Sequence, residues 1–220
     1  MILIDLIGHG ESDKPCSVKY YRVKVMLKHL NRLIAQSGLQ KYSLLGYSMG
    51  GRLALAYALT YPREVDKLIL ESASYGECGW INRLQRRRSD AELARSIRRN
   101  GIAWFNEYWS DQPIFASQKK LPAPIADEIS TSRLANAAHA LANTLLGSGQ
   151  GRFPCLKNQI AGLLMPVLYI SGEYDEKYKQ TGHEFEKLNP NIRHEIIKSV
   201  GHNTHLENYS AFNGVLKTFL

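Results

Sequence analysis

Gly46-Tyr47-Ser48-Met49-Gly50-Gly51 carries the pattern G-x-S-x-G, entered by an apolar run from Tyr42 to Leu45 and left by an alanine- and leucine-rich helical pattern. A serine on so sharp a strand-to-helix turn needs small residues two before it and two after, and Gly46 and Gly50 supply them. The turn lifts the Ser48 hydroxyl to the carboxyl edge of a sheet. It also aims the Met49 backbone N–H, at a helix amino end, toward a developing oxyanion. Taken alone, the stretch also reads as a glycine-rich turn whose serine caps the helix.

A nucleophilic or basic serine needs an imidazole, and the imidazole needs an orienting carboxylate. Val167 to Ser171 reads as a buried strand running into Gly172-Glu173-Tyr174-Asp175, which sets Asp175 on a loop past a strand's carboxyl end. Arg193 to Ile197 is another strand pattern, followed by Ser199-Val200-Gly201-His202-Asn203. Ser48, Asp175 and His202 thus occur in the chain order of the α/β-hydrolase triad. Separately, His202 reads as a loop histidine and Asp175 as a helix cap; the elbow upstream favours the triad.

The 220 residues, 44% hydrophobic, suffice for one domain with a sizeable core and an insertion. The formal charge of +8 is not accompanied by a helix-turn-helix, zinc or RNA-binding signature, so no nucleic-acid partner is expected. Cys16, Cys78 and Cys155 are odd in number, far apart and without metal-ligand spacing. Neither a disulfide nor a metal site is expected from them, and a reducing cytoplasm fits. The opening apolar run is interrupted by Asp5 and lacks a basic leader, and no later run approaches a membrane span, so no export or membrane partner is expected.

Met1 to Leu6 reads as a strand. Apolar residues from Val23 to Ile34 recur at helical spacing, with Gly38 placed to end the helix. After the elbow, Leu53 to Leu59 form a helix that Pro62 stops, and Val65 to Leu70 give another strand. This alternation predicts an α/β fold, a mostly parallel sheet with crossover helices, and with the elbow and the order Ser48, Asp175, His202 the expectation is the α/β-hydrolase fold. Between residues 75 and 164 the alternation lapses, and this segment reads as a helical cap inserted into a core of residues 1–74 and 165–220. Within it, Ser89-Asp90-Ala91-Glu92 reads as a capping box opening a helix toward Arg99, with Gly101 after it.

Seven arginines fall between Arg83 and Arg99. Most read as a solvated, salt-bridged face. One or two over a serine site point instead to an anionic substrate, because the guanidinium fork binds carboxylates bidentately. Arg52 lies one helical turn beyond Ser48 on the same side, where it also suits a surface ion pair.

Gly46 to Leu55, Leu70 to Ser74, Arg86 to Asp90, Pro113-Ile114-Phe115-Ala116-Ser117-Gln118 and Gly201 to Glu207 together resemble the 2-succinyl-6-hydroxy-2,4-cyclohexadiene-1-carboxylate synthases of menaquinone synthesis. The resemblance runs from residue 2 to the end. It implies a lyase that needs no cofactor or metal: a proton is removed from the substrate ring and an enolpyruvyl group leaves as pyruvate. Ser48, activated by His202 and oriented through Asp175, would take the proton. The family's carboxylate-binding arginines fall on Arg52, Arg86 and Arg133, its cap tryptophan on Trp109 and its elbow tyrosine on Tyr47. The implied partner is a small polycarboxylate. Trp109 reads equally as a cap-core aromatic.

Family members carry further strands ahead of the one matching Met1 to Leu6, with a His-Gly loop that supplies a second oxyanion N–H. The resemblance therefore implies that the N-terminal strands are absent here: either the chain is an incomplete gene product, or its first strand pairs directly with the elbow strand. Two other functions remain open at this point, an ester or carbon-carbon hydrolase using the same triad and a catalytically silent fragment.

Overall fold

The apolar runs that alternate with helical periodicity after residue 40 become four parallel strands in the order β1-β2-β3-β4: β1 Tyr42–Tyr47, β2 Val65–Glu71, β3 Val167–Gly172 and β4 Ile192–Ile197. The computed structural model describes residues 1–220. They group into two compact units, the sheet unit (Ile34–Tyr75, Pro113–Leu121 and Leu156–Leu220) and a helical unit (Met1–Leu33, Gly76–Gln112 and Pro122–Cys155). The helices are α1 Val23–Gln36, α2 Met49–Thr60, α3 Trp80–Ser110, α4 Ala123–Leu134, α5 Ala138–Ser148, α6 Glu176–Leu188, α7 Thr204–Glu207 and α8 Tyr209–Phe219. No helix is long and apolar enough to cross a membrane.

In the sheet unit β3 is buried along its whole length, which its unbroken apolar run requires. Side chains alternate across a strand, so β3 serves two layers. Leu168 and Ile170 join Ile69, Ile197, Val200 and Phe212 in a cluster covered by Val215, Leu216 and Phe219 of α8. Tyr169, on the opposite face, meets Phe185 of α6 at a ring distance of 5.1 Å. Each large apolar side chain buried in this way contributes about 1.5–3 kcal/mol. β1 and β4 are the sheet's edges, and Leu45 of β1 is exposed.

In the helical unit, α3 and α5 enclose Ile97, Phe105 and Leu141, with Trp109 packed against this cluster. Gly101 breaks α3 with φ 82° and ψ −175°, values open to glycine and strained for other residues.

Three expectations are corrected. Met1 to Leu6 form no strand and do not pair with β1. Instead Asp5 closes a local turn, its carboxylate accepting from the Glu11 N–H (3.0 Å) and its carbonyl from Ser12 Oγ (2.7 Å). Ser89 is not a helix cap, because α3 starts nine residues earlier at Trp80; its hydroxyl donates to the Gln85 carbonyl (3.2 Å) within the helix. Asp90, buried, accepts from Arg86 Nε (3.0 Å) and the Gly151 N–H (3.2 Å). Finally, Cys78 and Cys155 form a disulfide, their Cα atoms 5.1 Å apart, and only Cys16 is free. Their separation of 77 residues conceals the pair in the sequence, because the segments before α3 and after α5 come together only in the folded unit. Close backbone packing there is visible at Gly76, where an added Cβ would strike the Pro154 carbonyl.

In protein purified without reductant, a thiol-exchange reagent should modify one cysteine per chain under denaturing conditions, and all three after reduction. Three reactive thiols before reduction would show the pair to be open.

Candidate active site

Ser48 stands between β1 and α2 with φ 49° and ψ −107°, a backbone conformation that costs a non-glycine residue of order 1–3 kcal/mol. The neighbourhood enforces it. The Ser48 N–H donates to the Glu71 carbonyl at the end of β2 (2.8 Å), and its own carbonyl accepts from the Arg52 N–H (3.1 Å). A Cβ on Gly46 would sit 2.5 Å from the Gly50 carbonyl oxygen, and one on Gly51 would strike Ala73 and approach the Gly46 carbonyl oxygen at 2.7 Å. Gly50 itself has open space where a Cβ would be. The sterically required pair is therefore Gly46 and Gly51, a correction to the spacing expected from G-x-S-x-G.

His202 lies against this turn. Its Nε2 is 3.0 Å from Ser48 Oγ, and its Nδ1 is 2.6 Å from Asp175 Oδ2. His202 and Asp175 are both buried. Two neighbouring loops set their distance. After β3, the Glu173 N–H donates to the Ile197 carbonyl and the Tyr174 N–H to the Val200 carbonyl, both at 2.9 Å; in return the Ser199 N–H donates to Glu173 Oε2 at 2.8 Å. An added Cβ on Gly172 would run into the Gly201 carbonyl, so glycine permits the loops to approach this closely. Asp175 caps α6 by accepting from the Tyr178 N–H through its other oxygen (3.5 Å), which leaves Oδ2 to the imidazole.

Three rings enclose the His202 imidazole: Tyr178 at 4.7 Å, Tyr47 at 5.3 Å and Phe115 at 5.8 Å. Burial, reinforced by the Glu71 and Glu207 carboxylates, pushes the Tyr47 phenol well above its ordinary range, so it remains protonated. Phe115 comes from the 3-10 segment Pro113–Lys120, and Gly201 is so close to Ser117 that a Cβ there would meet its hydroxyl.

Below the imidazole are two carboxylates that pattern reasoning did not single out as site residues. Glu71, 0% exposed, accepts from Thr204 Oγ1 (2.7 Å), the His205 N–H (3.0 Å) and His205 Nδ1 (2.7 Å). Glu207 accepts from the Gly201 N–H (2.6 Å) and the Asn203 N–H (3.1 Å). The available signal for Glu71 was an acid ending an otherwise apolar central strand, since a buried charge persists only where it is paired.

Residues 1–145 match the α/β hydrolase fold family. Over all 220 residues the sequence is 40% identical to a Bacillus subtilis (strain 168) protein provisionally named 2-succinyl-6-hydroxy-2,4-cyclohexadiene-1-carboxylate synthase, of which the match covers 80%. It is 30% identical, also over its full length, to the synthase of that name from Serratia proteamaculans (strain 568), covering 82% of it. The structure of MenH from S. aureus superposes with a TM-score of 0.94 at 34% identity, over 99% of this chain and 81% of that one. The chain belongs to the 2-succinyl-6-hydroxy-2,4-cyclohexadiene-1-carboxylate synthase family. An esterase from Exiguobacterium antarcticum, 22% identical with a TM-score of 0.78, shares the fold.

Of the residues that resemblance to this synthase family singles out, Tyr47, Ser48, Met49, Arg52, Asp175 and His202 lie in the sheet unit. Met49 begins α2, so its N–H belongs to the first turn, which has no intrahelical acceptors. Arg52 follows one turn later, half-buried. Arg86, Trp109 and Arg133 lie in the helical unit, each engaged there. Arg86 holds Asp90, and Trp109 stacks on Phe105 at 5.3 Å. Arg133 donates to Asn106 Oδ1 (2.9 Å) and Ser110 Oγ (2.6 Å).

Gly46→Ala and Gly51→Ala should each lower unfolding free energy by about 1–3 kcal/mol, as overpacking does, whereas Gly50→Ala should leave it unchanged or slightly raised. Urea melts of the three variants check this ordering, and equal destabilisation at Gly50 would contradict it. Glu71→Ala, which strips three donors of their acceptor, should cost at least about 2 kcal/mol in the same melts.

Proposed function

We propose that the chain eliminates pyruvate from 2-succinyl-5-enolpyruvyl-6-hydroxy-3-cyclohexene-1-carboxylate, giving 2-succinyl-6-hydroxy-2,4-cyclohexadiene-1-carboxylate for menaquinone synthesis, with Ser48, His202 and Asp175 as its catalytic residues. The observation that carries this reading is the unbroken hydrogen-bonded chain from Ser48 Oγ through His202 to Asp175 Oδ2, found in a member of this synthase family.

The geometry suits proton transfer. His202 Nδ1–H, held by Asp175, leaves Nε2 as a lone pair facing Ser48 Oγ–H, and Asp175 stabilises the imidazolium formed when Nε2 accepts that proton. The serine oxygen, made basic, removes a ring proton. The electron pair of the broken C–H bond becomes the new ring double bond as the C–O bond to the enolpyruvyl group breaks. The leaving enolate is protonated, with the imidazolium as proton source, and tautomerises to pyruvate. No water is consumed and nothing is oxidised, so the balance differs from that of an ester hydrolase.

The substrate class follows from its charge. Several carboxylates entering a partly dry site need fixed cations. Arg52, a turn beyond Ser48, is the proposed first partner, and the Met49 N–H the proposed donor to developing negative charge on oxygen. Tyr47, Trp109, Arg86 and Arg133 are further proposed substrate contacts. To bind carboxylates, Arg86 would share its guanidinium with Asp90, and Arg133 would share its own with Asn106 and Ser110. A cytoplasmic setting, where thiols are held reduced, would leave Cys78 and Cys155 as a dithiol.

The test is pyruvate release from the succinylated enolpyruvyl cyclohexene carboxylate. Ser48→Ala and His202→Ala should each lower kcat by about 10²–10⁴-fold. The double variant should be little worse than either single one, because the two groups act as a unit. Absence of release by the folded wild-type chain would overturn the reading, and ester turnover with an acyl-Ser48 intermediate would replace it with a hydrolase.

A further inference from the structure

On the α6 side of the sheet, away from Ser48, three side chains converge without any part in the proposed reaction. Helix α6 presents His183 and Glu186, three residues apart and so on one face, and strand β4 presents His194 beside them. One ligand atom from each lies within 4.8 Å of the other two. Glu186 Oε2 is 3.6 Å from His183 Nδ1 and 4.0 Å from His194 Nδ1, and the two imidazole rings meet edge to face at 4.8 Å.

The His194 ring is held in one orientation. Its side chain is 1% exposed, and its Nε2 is 2.8 Å from Ser171 Oγ. It lies over Gly182 of α6 so closely that a Cβ there would be 2.5 Å from Cε1 and Nε2. Glu186 is anchored as well: its Oε1 accepts the His194 backbone N–H at 2.9 Å, which frees Oε2 to face both imidazoles. Yet His194 Nδ1, buried and aimed at this carboxylate, has no hydrogen-bond partner. In the tautomer that donates Nε2–H to Ser171 Oγ, Nδ1 presents its lone pair toward Glu186 Oε2, and a cation between the two would be held by both.

We propose that His183, Glu186 and His194 form a binding site for a divalent metal ion of the zinc class. Two imidazole nitrogens and a carboxylate oxygen are the donor set such ions prefer over magnesium or calcium. Ser171 Oγ occupies the place on the other ring nitrogen that a carboxylate, carbonyl or water has at a metal-bound histidine, and it holds the ring plane. Bonds of about 2.0–2.1 Å to a tetrahedral ion bring ligand atoms to about 3.4 Å from one another. The observed spacings to Glu186 Oε2 are longer, 3.6 Å from His183 and 4.0 Å from His194, so an ion draws in the exposed His183 ring and also requires Glu186 Oε2 to shift by about 0.6 Å toward His194. Water completes the coordination on the solvent side. The ion would tie α6 to β4.

Chain treated with a chelator and then desalted is titrated with Zn²⁺ alone by calorimetry, and its thermal unfolding is followed with and without the ion. The expected result is one zinc per chain, a raised Tm, and visible d–d absorption bands when Co²⁺ takes its place. His183→Ala, at an exposed position that leaves the fold intact, and Glu186→Gln, which keeps an acceptor for the His194 N–H, should each weaken binding at least about tenfold and abolish the Tm shift. No zinc retained by the wild-type chain would overturn the proposal. So would zinc bound with undiminished affinity by His183→Ala, which would place the ion elsewhere.

Discussion

The backbone of Ser48 is the constraint on which the rest of the site depends. At φ 49° it is held in a region that L residues avoid, and three contacts keep it there: the Glu71 carbonyl receiving its N–H, the Arg52 N–H on its carbonyl, and the near-touching glycines Gly46 and Gly51. Relaxing the turn would swing Oγ away from His202 Nε2. Ser72 after β2 (φ 45°) and Ser199 after β4 (φ 61°) are likewise left-handed non-glycine residues. All three sit just beyond the carboxyl ends of strands, so backbone strain is concentrated at the edge of the sheet where the candidate site lies.

Such strain persists because polar groups beneath it are satisfied. Glu71 supplies both ends of the support, its main-chain carbonyl to Ser48 and its carboxylate to Thr204 and His205 just past His202. One residue thus links the serine turn to the histidine loop. Glu207 closes the loop from the other side through Gly201 and Asn203. The imidazole is consequently fixed in position by hydrogen bonds to its neighbours and by the rings of Tyr47, Tyr178 and Phe115. That is the preorganisation a proton-transfer group needs, since catalysis falls steeply with small displacements.

Much of this was legible in the sequence. The order Ser48, Asp175, His202 and the alternation of strand and helix patterns gave the parallel sheet and the hydrogen-bonded chain, because local periodicity and turn chemistry are written in short windows. The misses have a common physical origin in contacts between distant segments. Gly51 is required because Ala73 lies against it, a neighbour no window around Ser48 contains. Cys78 and Cys155 meet only after α3 and α5 pack. Ser89 imitates a cap, but the helix had already begun at Trp80, where Gly79, with no side chain to cap with, stands at the N-cap position. Met1 to Leu6 have the composition of a strand, and composition does not supply the neighbouring backbone a strand must pair with.

The same reasoning explains why one pair of elements carries two different polar assemblies. Asp175 precedes α6 and His202 follows β4, so the candidate site occupies the end of this pair nearest the carboxyl edge. His183 and Glu186 stand farther along α6, roughly 12–16 Å from Asp175 at 1.5 Å rise per residue. His194 opposes them near the start of β4, because a strand parallel to β3 begins at the other edge of the sheet. An imidazole packed over Gly182 and bonded to Ser171 fixes the α6–β4 spacing at that end, as Asp175 and His202 fix it at the other. The α6–β4 pair is therefore held at both ends, by His194 against Gly182 and Ser171 at one and by Asp175 against His202 at the other, while the loops after β3 and β4 set the distance from Asp175 to His202.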